Sequence, residues 1–163
     1  MMKWISTTVV LLFICSILSA QKQIPDVLVK NLKGQEVNIL NELKNADYTV
    51  LSFWATWCSP CKKELNIISE YYEDWQKDYN MQLIAVSIDD ARAAAKVPSI
   101  VNSNWWDYVV LIDSNSAFRT ALNVAAIPRT MIVDKTGKIH YDHSGYKPGD
   151  EEELEGKLKV LNQ

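Results

Sequence analysis

The residues best suited to chemistry are Cys58 and Cys61, two cysteines separated by Ser59 and Pro60. The pair follows a strand-like apolar run and opens a segment with helical spacing. The first thiol therefore lies at a predicted helix N-terminus, where the helix dipole favours the thiolate. Two thiols at this spacing can close a small disulfide ring. The motif predicts a redox centre for dithiol–disulfide exchange.

The same spacing is also that of half a zinc site, but the rest of the chain lacks the other half. A structural zinc needs four ligands. The third cysteine, Cys15, lies in an N-terminal apolar segment, and the two histidines, His140 and His143, are far along the chain without a second CxxC motif. We therefore expect no metal at the cysteine pair, and we expect both histidines to be polar surface residues.

Residues 1–20 have the pattern of a secretory signal peptide, because Lys3 precedes an apolar run that ends at Leu18. We predict cleavage after Ala20, which leaves residues 21–163 as one domain by length. The alternative is a retained, outward-facing membrane anchor, for which the run is short and rich in Ser and Thr. Export agrees with a lone cysteine pair, since so short a loop adds little stability.

The composition argues against nucleic acid as a partner. Without Lys3 the formal net charge falls from −3 to −4, and the sequence has no basic stripe. A hydrophobic fraction of 48% and six tryptophans provide ample material for a core. The chain is therefore predicted to be a folded, mildly acidic domain.

Apolar periodicity predicts strands that alternate with helices. Strand-like runs occupy 27–29, 36–39, 48–54, 81–88, 108–112, 130–134 and 139–143, and helical spacing occupies 60–75, 89–96, 114–122 and a final segment from Asp150. We expect Asp113 or Ser114 to cap the third helix. Alternation implies parallel pairing, whereas the turns at 31–34 and 135–138 imply hairpins. The fold class is therefore α/β, with a central mixed sheet flanked by helices.

The sequence resembles the thioredoxin-fold family, and within it the exported TlpA/ResA-type thiol–disulfide oxidoreductases. The resemblance is carried by the run from Phe53 to Cys61, by Ile127-Pro128 before a strand, by the 133–138 hairpin and by Gly145-Tyr146. It implies a thioredoxin-like fold with an N-terminal β-hairpin extension. It also implies reduction of disulfides in exported proteins, with apocytochrome c among the candidate substrates and a membrane thiol-transfer protein as electron donor.

The redox cycle assigns different roles to the two cysteines. We expect Cys58, exposed at the helix start, to be the attacking nucleophile and Cys61 to be the resolving thiol. Ser59 and Pro60 supply no cation to stabilise the thiolate, which favours a reductant over a strong oxidant. No cofactor is expected beyond the redox-active Cys58–Cys61 disulfide itself.

Substrate binding is expected from residues that flank the motif or approach it. The resemblance implies a cis Ile127–Pro128 bond packed against the disulfide, with Ile127 offering backbone hydrogen bonds to a substrate strand. Trp57 and Pro60 complete the predicted binding set, Trp57 at the exposed rim. Arg129 has two interpretations, steering of acidic substrates or simple solvation.

Three further tryptophans are assigned to the core. Trp54 is expected there because it ends a buried strand-like run. Trp105 and Trp106 are also expected to be core residues, the alternative being an apolar contact surface for a partner.

Glu64 stands where TlpA/ResA-type proteins carry a glutamate, three residues after the second cysteine. Cytosolic thioredoxins instead keep a buried carboxylate on the preceding strand, where this chain has Ser52. Residues three apart share a helix face, so Glu64 is predicted one turn below Cys61, where a partly buried carboxylate would relay its proton. The alternative is a solvated glutamate in the Lys62-Lys63-Glu64 stretch.

Two other functions fit parts of the motif. A thiol peroxidase would use a single attacking cysteine, but Thr56 lies two rather than three residues before Cys58. A non-enzymatic copper-binding assembly factor would use both cysteines and a histidine, but such sites more often have CxxxC spacing, and Pro60 hinders metal access. Peroxide-dependent turnover and chelator-resistant Cu(I) binding are the respective tests.

Overall fold

The computed structural model describes residues 22–163, so the predicted signal peptide and Cys15 lie outside the described residues. The strands are β1 (Leu28–Asn31), β2 (Glu36–Asn38), β3 (Tyr48–Trp54), β4 (Met81–Ser87), β5 (Val109–Ile112), β6 (Arg129–Asp134) and β7 (Ile139–Ser144). The helices are α1 (Ile39–Glu42), α2 (Ser59–Tyr79), α3 (Val97–Ser103), α4 (Ala117–Ala121) and α5 (Asp150–Leu161), with short 3-10 turns at Leu43–Asn45 and Ala93–Lys96.

The strands form one mixed sheet in the order β2-β1-β5-β4-β3-β6-β7. The interior strand β3 pairs in parallel with β4 and antiparallel with β6, and β4 pairs in parallel with β5. The N-terminal β1–β2 hairpin extends the sheet by antiparallel pairing of β1 with β5. The predicted α/β class, with a mixed sheet and a leading hairpin, is confirmed.

Side chains of β3 alternate between the two faces of the sheet, as the period of a strand requires. Ser52 faces α2, where its hydroxyl meets Glu64. Phe53 faces the opposite layer and packs against Phe118 of α4, with ring centroids 5.1 Å apart. Because both faces are covered, every residue of β3 after Tyr48 is buried. The strand that leads into the cysteine motif is therefore held rigidly in the core.

Helix α2 begins directly after Cys58 and runs one turn beyond the predicted Trp75. Its buried residues recur at helical spacing: Cys61, Glu64, Leu65, Ile68, Tyr72 and Trp75. The helix ends at Asn80, which adopts the left-handed conformation (φ 44°) that closes many helices. The stripe places Cys61 and Glu64 on the face that packs against the sheet.

The segment after β4 differs from prediction. The helix expected over 89–96 is only the 3-10 turn at its end, and the unpredicted α3 follows. The helix expected over 114–122 starts at Ala117, and Asp113 caps it from further upstream by accepting the N–H groups of Phe118 (3.1 Å) and Arg119 (2.7 Å). Both changes shorten elements without altering the order of the sheet.

The tryptophan pair after α3 is divided between core and solvent. Trp106 is 5% exposed and packs edge-on against Trp54, with centroids 5.0 Å apart. Trp105 is 89% exposed, so its assignment to the core is wrong. Its backbone lies in the left-handed region, with a φ of 56°, in the turn that follows α3. Within residues 22–163 no helix is long and apolar enough to cross a membrane.

Candidate active site

A disulfide joins Cys58 and Cys61 at the point where the chain leaves β3 and enters α2. The Cα atoms lie 5.4 Å apart, and the Cys58 sulfur also accepts the backbone N–H of Cys61 at 3.3 Å. Cys58 is only 4% exposed, so the prediction that it is exposed is wrong. The reason is that Cys58 is the N-cap of α2 and its sulfur lies against the first turn of the helix. Cys61 is fully buried. An incoming group can therefore reach only Cys58.

Glu64 is buried beneath the disulfide-bearing turn of α2, with 5% of its surface exposed. Thr130 of β6 donates a hydrogen bond to Oε1 at 2.8 Å, and Ser52 of β3 donates to Oε2 at 3.2 Å. Burial raises the pKa of Glu64 to about 7, although the two hydroxyl groups oppose the shift. The solvated alternative is therefore wrong, and the group is able to gain and lose a proton near neutral pH.

The Ile127–Pro128 loop lies beside the cysteine motif. In the β3–β6 ladder Phe53 pairs with Arg129, and the next position along each strand places Pro128 opposite Trp54. The Ile127–Pro128 peptide is cis, as the resemblance implies, and the Pro128 carbonyl accepts the Gly145 N–H at 2.8 Å. Within residues 22–163 the backbone of Ile127 has no hydrogen-bond partner. Its polar groups are thus available to an extended peptide.

The rim of the site carries the predicted aromatic residue. Trp57 is 69% exposed, whereas Trp54 is fully buried, as expected for each. Pro60 is exposed in the first turn of α2. An apolar rim of this kind, next to free backbone groups, can hold a substrate segment that contains a disulfide.

Arg129 is neither solvated nor free to steer substrates. Its guanidinium forms a bidentate pair with Asp142 of β7 and also donates to Ser144 at 2.9 Å. Lys22 completes the cluster through a 2.6 Å contact with the same carboxylate. Both earlier interpretations of Arg129 are therefore replaced by a structural one, in which it joins β6 to β7 beside the loop of Pro128.

Asp89 is a buried carboxylate that sequence reasoning missed. It is 1% exposed and accepts the Thr56 N–H (2.8 Å), the Thr56 hydroxyl (2.7 Å) and the Ser87 hydroxyl (2.8 Å). The Lys62 ammonium donates a hydrogen bond to the backbone carbonyl of Thr56 at 3.0 Å. Thr56 lies two residues before Cys58. The carboxylate thus fixes the loop that leads into Cys58.

Removal of the Asp89 carboxylate is expected to cost about 3 kcal/mol of unfolding free energy in the Asp89→Ala variant, because the N–H and hydroxyl of Thr56 and the buried hydroxyl of Ser87 all lose their acceptor. Urea denaturation of the oxidised protein measures the change. The matched control is Asp90→Ala, because Asp90 is exposed and only accepts the N–H groups of Arg92 and Ala93. Equal losses in the two variants would contradict a special role for Asp89.

The two histidines lie on β7 and each faces a carboxylate. His140 contacts Asp134 at 2.7 Å, and His143 contacts Asp150 at 3.4 Å. Both side chains are partly exposed, 20% for His140 and 32% for His143, so both histidines reach the surface as predicted. In the part of the chain that the structure describes, no cluster of three or more His, Cys, Asp or Glu residues could hold a metal ion.

The sequence and the fold of this chain both resemble those of known proteins. The AhpC/TSA family matches residues 20–142. Thiol-disulfide oxidoreductase ResA from Bacillus thuringiensis (strain Al Hakam) is 32% identical over 140 residues, which cover 86% of this chain and 77% of ResA. An uncharacterized thioredoxin-like protein from Porphyromonas gingivalis superposes with a TM-score of 0.76 at 46% identity, covering 85% of this chain and 91% of its own.

The fold is shared more widely than the sequence. A putative thiol:disulfide interchange protein DsbE from Chlorobium tepidum has a TM-score of 0.76 at 22% identity, covering 88% of this chain and 97% of its own. At that identity the likeness concerns the fold alone.

Proposed function

Because the chain belongs to the AhpC/TSA family of thioredoxin-like proteins and is a thiol–disulfide oxidoreductase, we propose that it is exported and reduces disulfides in exported proteins. The observation that carries the proposal is the Cys58–Cys61 disulfide at the start of α2, with a buried carboxyl one turn beyond it. In its reduced, dithiol form this cysteine pair supplies the two electrons that disulfide reduction requires, and the carboxyl can accept the proton of the second thiol.

The proposed cycle begins with the reduced pair. The Cys58 thiolate, favoured by the N-terminus of α2, attacks one sulfur of a substrate disulfide and releases the other as a thiolate. Cys61 then transfers its proton to the Glu64 carboxylate and attacks the mixed disulfide at Cys58. This attack expels the second substrate sulfur as a thiolate, both substrate thiolates take up protons from solvent, and the protein keeps the disulfide. Two electrons from a donor reduce that disulfide and restore the starting state.

Substrate recognition is proposed to rely on main-chain contacts. The unpaired backbone groups of Ile127 can bind an extended peptide as an added strand, and Pro128 holds that loop beside the disulfide. Trp57 and Pro60 provide apolar contacts at the rim. Backbone recognition is tolerant of sequence, which suits a protein that acts on several partners.

The compartment and partners follow from the resemblance of the sequence to exported TlpA/ResA-type proteins. We propose that residues 1–20 direct export and are removed, or else anchor the domain with the active site facing outward. Apocytochrome c and other exported proteins with cysteine pairs are the proposed substrates. A membrane thiol-transfer protein is the proposed electron donor.

The direction of electron flow is tested by the reduction potential of the cysteine pair. We expect a value near that of thioredoxin, about −270 mV, when residues 21–163 are equilibrated against defined glutathione or dithiothreitol buffers. A value near about −120 mV would make the protein an oxidant and overturn the proposed direction. The Cys58→Ser variant, which cannot form the internal disulfide, is the control for signals from other groups.

A further inference from the structure

The carboxyl group of Glu64 opens onto a narrow cleft between β7 and the N-terminus of α5. Ile68, one turn further along α2, lines the same cleft. The cleft therefore extends from Glu64 in the direction away from Cys61. Thr130, His143 and Asp150 line its other sides. A proton that reaches Glu64 from the buried thiol must still reach solvent, and this cleft is an opening from the carboxyl that does not pass the disulfide.

His143 stands at the outer side of the cleft in contact with a carboxylate. Its Nε2 atom lies 3.4 Å from Oδ2 of Asp150, and 32% of its side chain is exposed, against 9% for Asp150. The Lys147 N–H donates to the same Asp150 oxygen at 2.8 Å and fixes its position. His143 is also the register partner of Thr130, whose hydroxyl binds Glu64. Glu64 and His143 thus line the same cleft, and His143 is the more exposed of the two.

We propose that the proton taken from Cys61 by Glu64 leaves through this cleft by way of His143, with Asp150 as the positioning residue that stabilises the imidazolium. The inference rests on the role of Glu64 proposed above. Glu64 gains the proton of the Cys61 thiol. The imidazole ring then accepts this proton from the carboxyl and releases it to solvent. These steps transfer a proton only, and the electrons pass between the sulfur atoms. Imidazole is the side chain best suited to such exchange near neutral pH.

Acidic and phenolic side chains predominate around the cleft. The titratable side chains that face His143 or the walls of the cleft are acidic or phenolic, apart from two lysines at the edge of the cleft. They are Glu64, Tyr141, Asp150, Glu151, Glu153, Lys147 and Lys157. Asp150 also acts on Glu64, since its negative charge raises the pKa of that carboxyl. The same carboxylate therefore acts on both groups of the proposed route, through its charge on Glu64 and through direct contact with His143.

The test is the single-turnover reaction of the reduced protein with glutathione disulfide, followed by tryptophan fluorescence across the neutral pH range. We expect His143→Gln to slow resolution of the mixed disulfide by about 10-fold near neutral pH, with rescue by added imidazole buffer. The reduction potential should stay unchanged, because the proton route does not alter the end states. Asp150→Asn should cause a smaller loss.

The control is His140→Gln, because His140 lies on the same strand and also faces a carboxylate but is not one of the residues that line the cleft. It should retain the wild-type rate. A wild-type rate and pH profile in His143→Gln would overturn the proton route, as would a loss that imidazole does not rescue. Glu64→Gln separates the two proposals: if it is slow while His143→Gln is not, only the cleft route fails, and if it reacts normally, the proposed role of Glu64 fails as well.

Discussion

Replacement of Cys61 by serine is expected to turn the protein into a covalent trap for its substrates. Cys58 can still attack a disulfide, but the fully buried position that should resolve the mixed disulfide then carries a hydroxyl. A serine hydroxyl does not displace a thiolate from a disulfide under these conditions. Multiple turnover should fall by about 10³-fold or more, since residues that act as a unit fail together. The adduct with a model disulfide protein should be visible by mass spectrometry and disappear with dithiothreitol.

The matched control for the trap is Cys58→Ser. It should lose turnover to the same extent but form no adduct, because the remaining thiol of Cys61 is fully buried while only Cys58 has residual exposure. Adduct formation by Cys58→Ser and not by Cys61→Ser would reverse the assigned roles. The absence of any adduct with both variants would contradict the mixed-disulfide mechanism itself.

The fold was predictable where apolar periodicity is strong. The stripe of α2 and the apolar runs of β3 and β4 are long, and both strands match their predicted ranges to within one residue. Helix α3 was missed because Pro98 and the preceding alanines give no periodic signal, although proline is well tolerated in a first helical turn. Trp105 was assigned wrongly because its exposure depends on a left-handed turn that hydrophobicity does not encode.

The site was predictable only in its local part. Spacing alone places Cys61 and Glu64 on one helix face. The burial of Glu64 depends on Ser52 and Thr130, which come from two other strands, and the sequence offers no local sign that Thr130 reaches it. Asp89 was missed for the same reason, because its partner Thr56 lies 33 residues earlier in the chain. Contacts between distant segments are what sequence periodicity leaves out.

Glu64→Gln is expected to slow the reaction and stabilise the fold at the same time. Loss of the proton acceptor should reduce the rate of mixed-disulfide resolution by about 10²-fold near neutral pH. The wild-type rate should rise with pH through about 7, where Glu64 becomes a carboxylate, and this rise should be absent from the variant. Glu70→Gln, an exposed change on the same helix, is the control and should behave as the wild type.

The effect of Glu64 on stability has a definite sign. Its pKa is raised from the model-peptide value of 4.5 to about 7 in the native state, mainly by burial, so the native state binds a proton that the unfolded chain has lost. The unfolding free energy of the oxidised wild type should therefore decline as the pH rises through this window, by about 3 kcal/mol in all. Below the lower pKa both states are protonated and the loss vanishes.

Glutamine carries no charge at any pH, so the variant should lack this decline. Oxidised Glu64→Gln should exceed the wild type by about 3 kcal/mol at mildly alkaline pH and match it in acid, as measured by urea denaturation at each pH. Parallel stability profiles for the two proteins would show that Glu64 titrates normally in the fold. A buried carboxyl that costs stability where it is ionised, on the helix turn below Cys61, would then have its reason in the proton that we propose it carries in the reaction rather than in any contribution to folding.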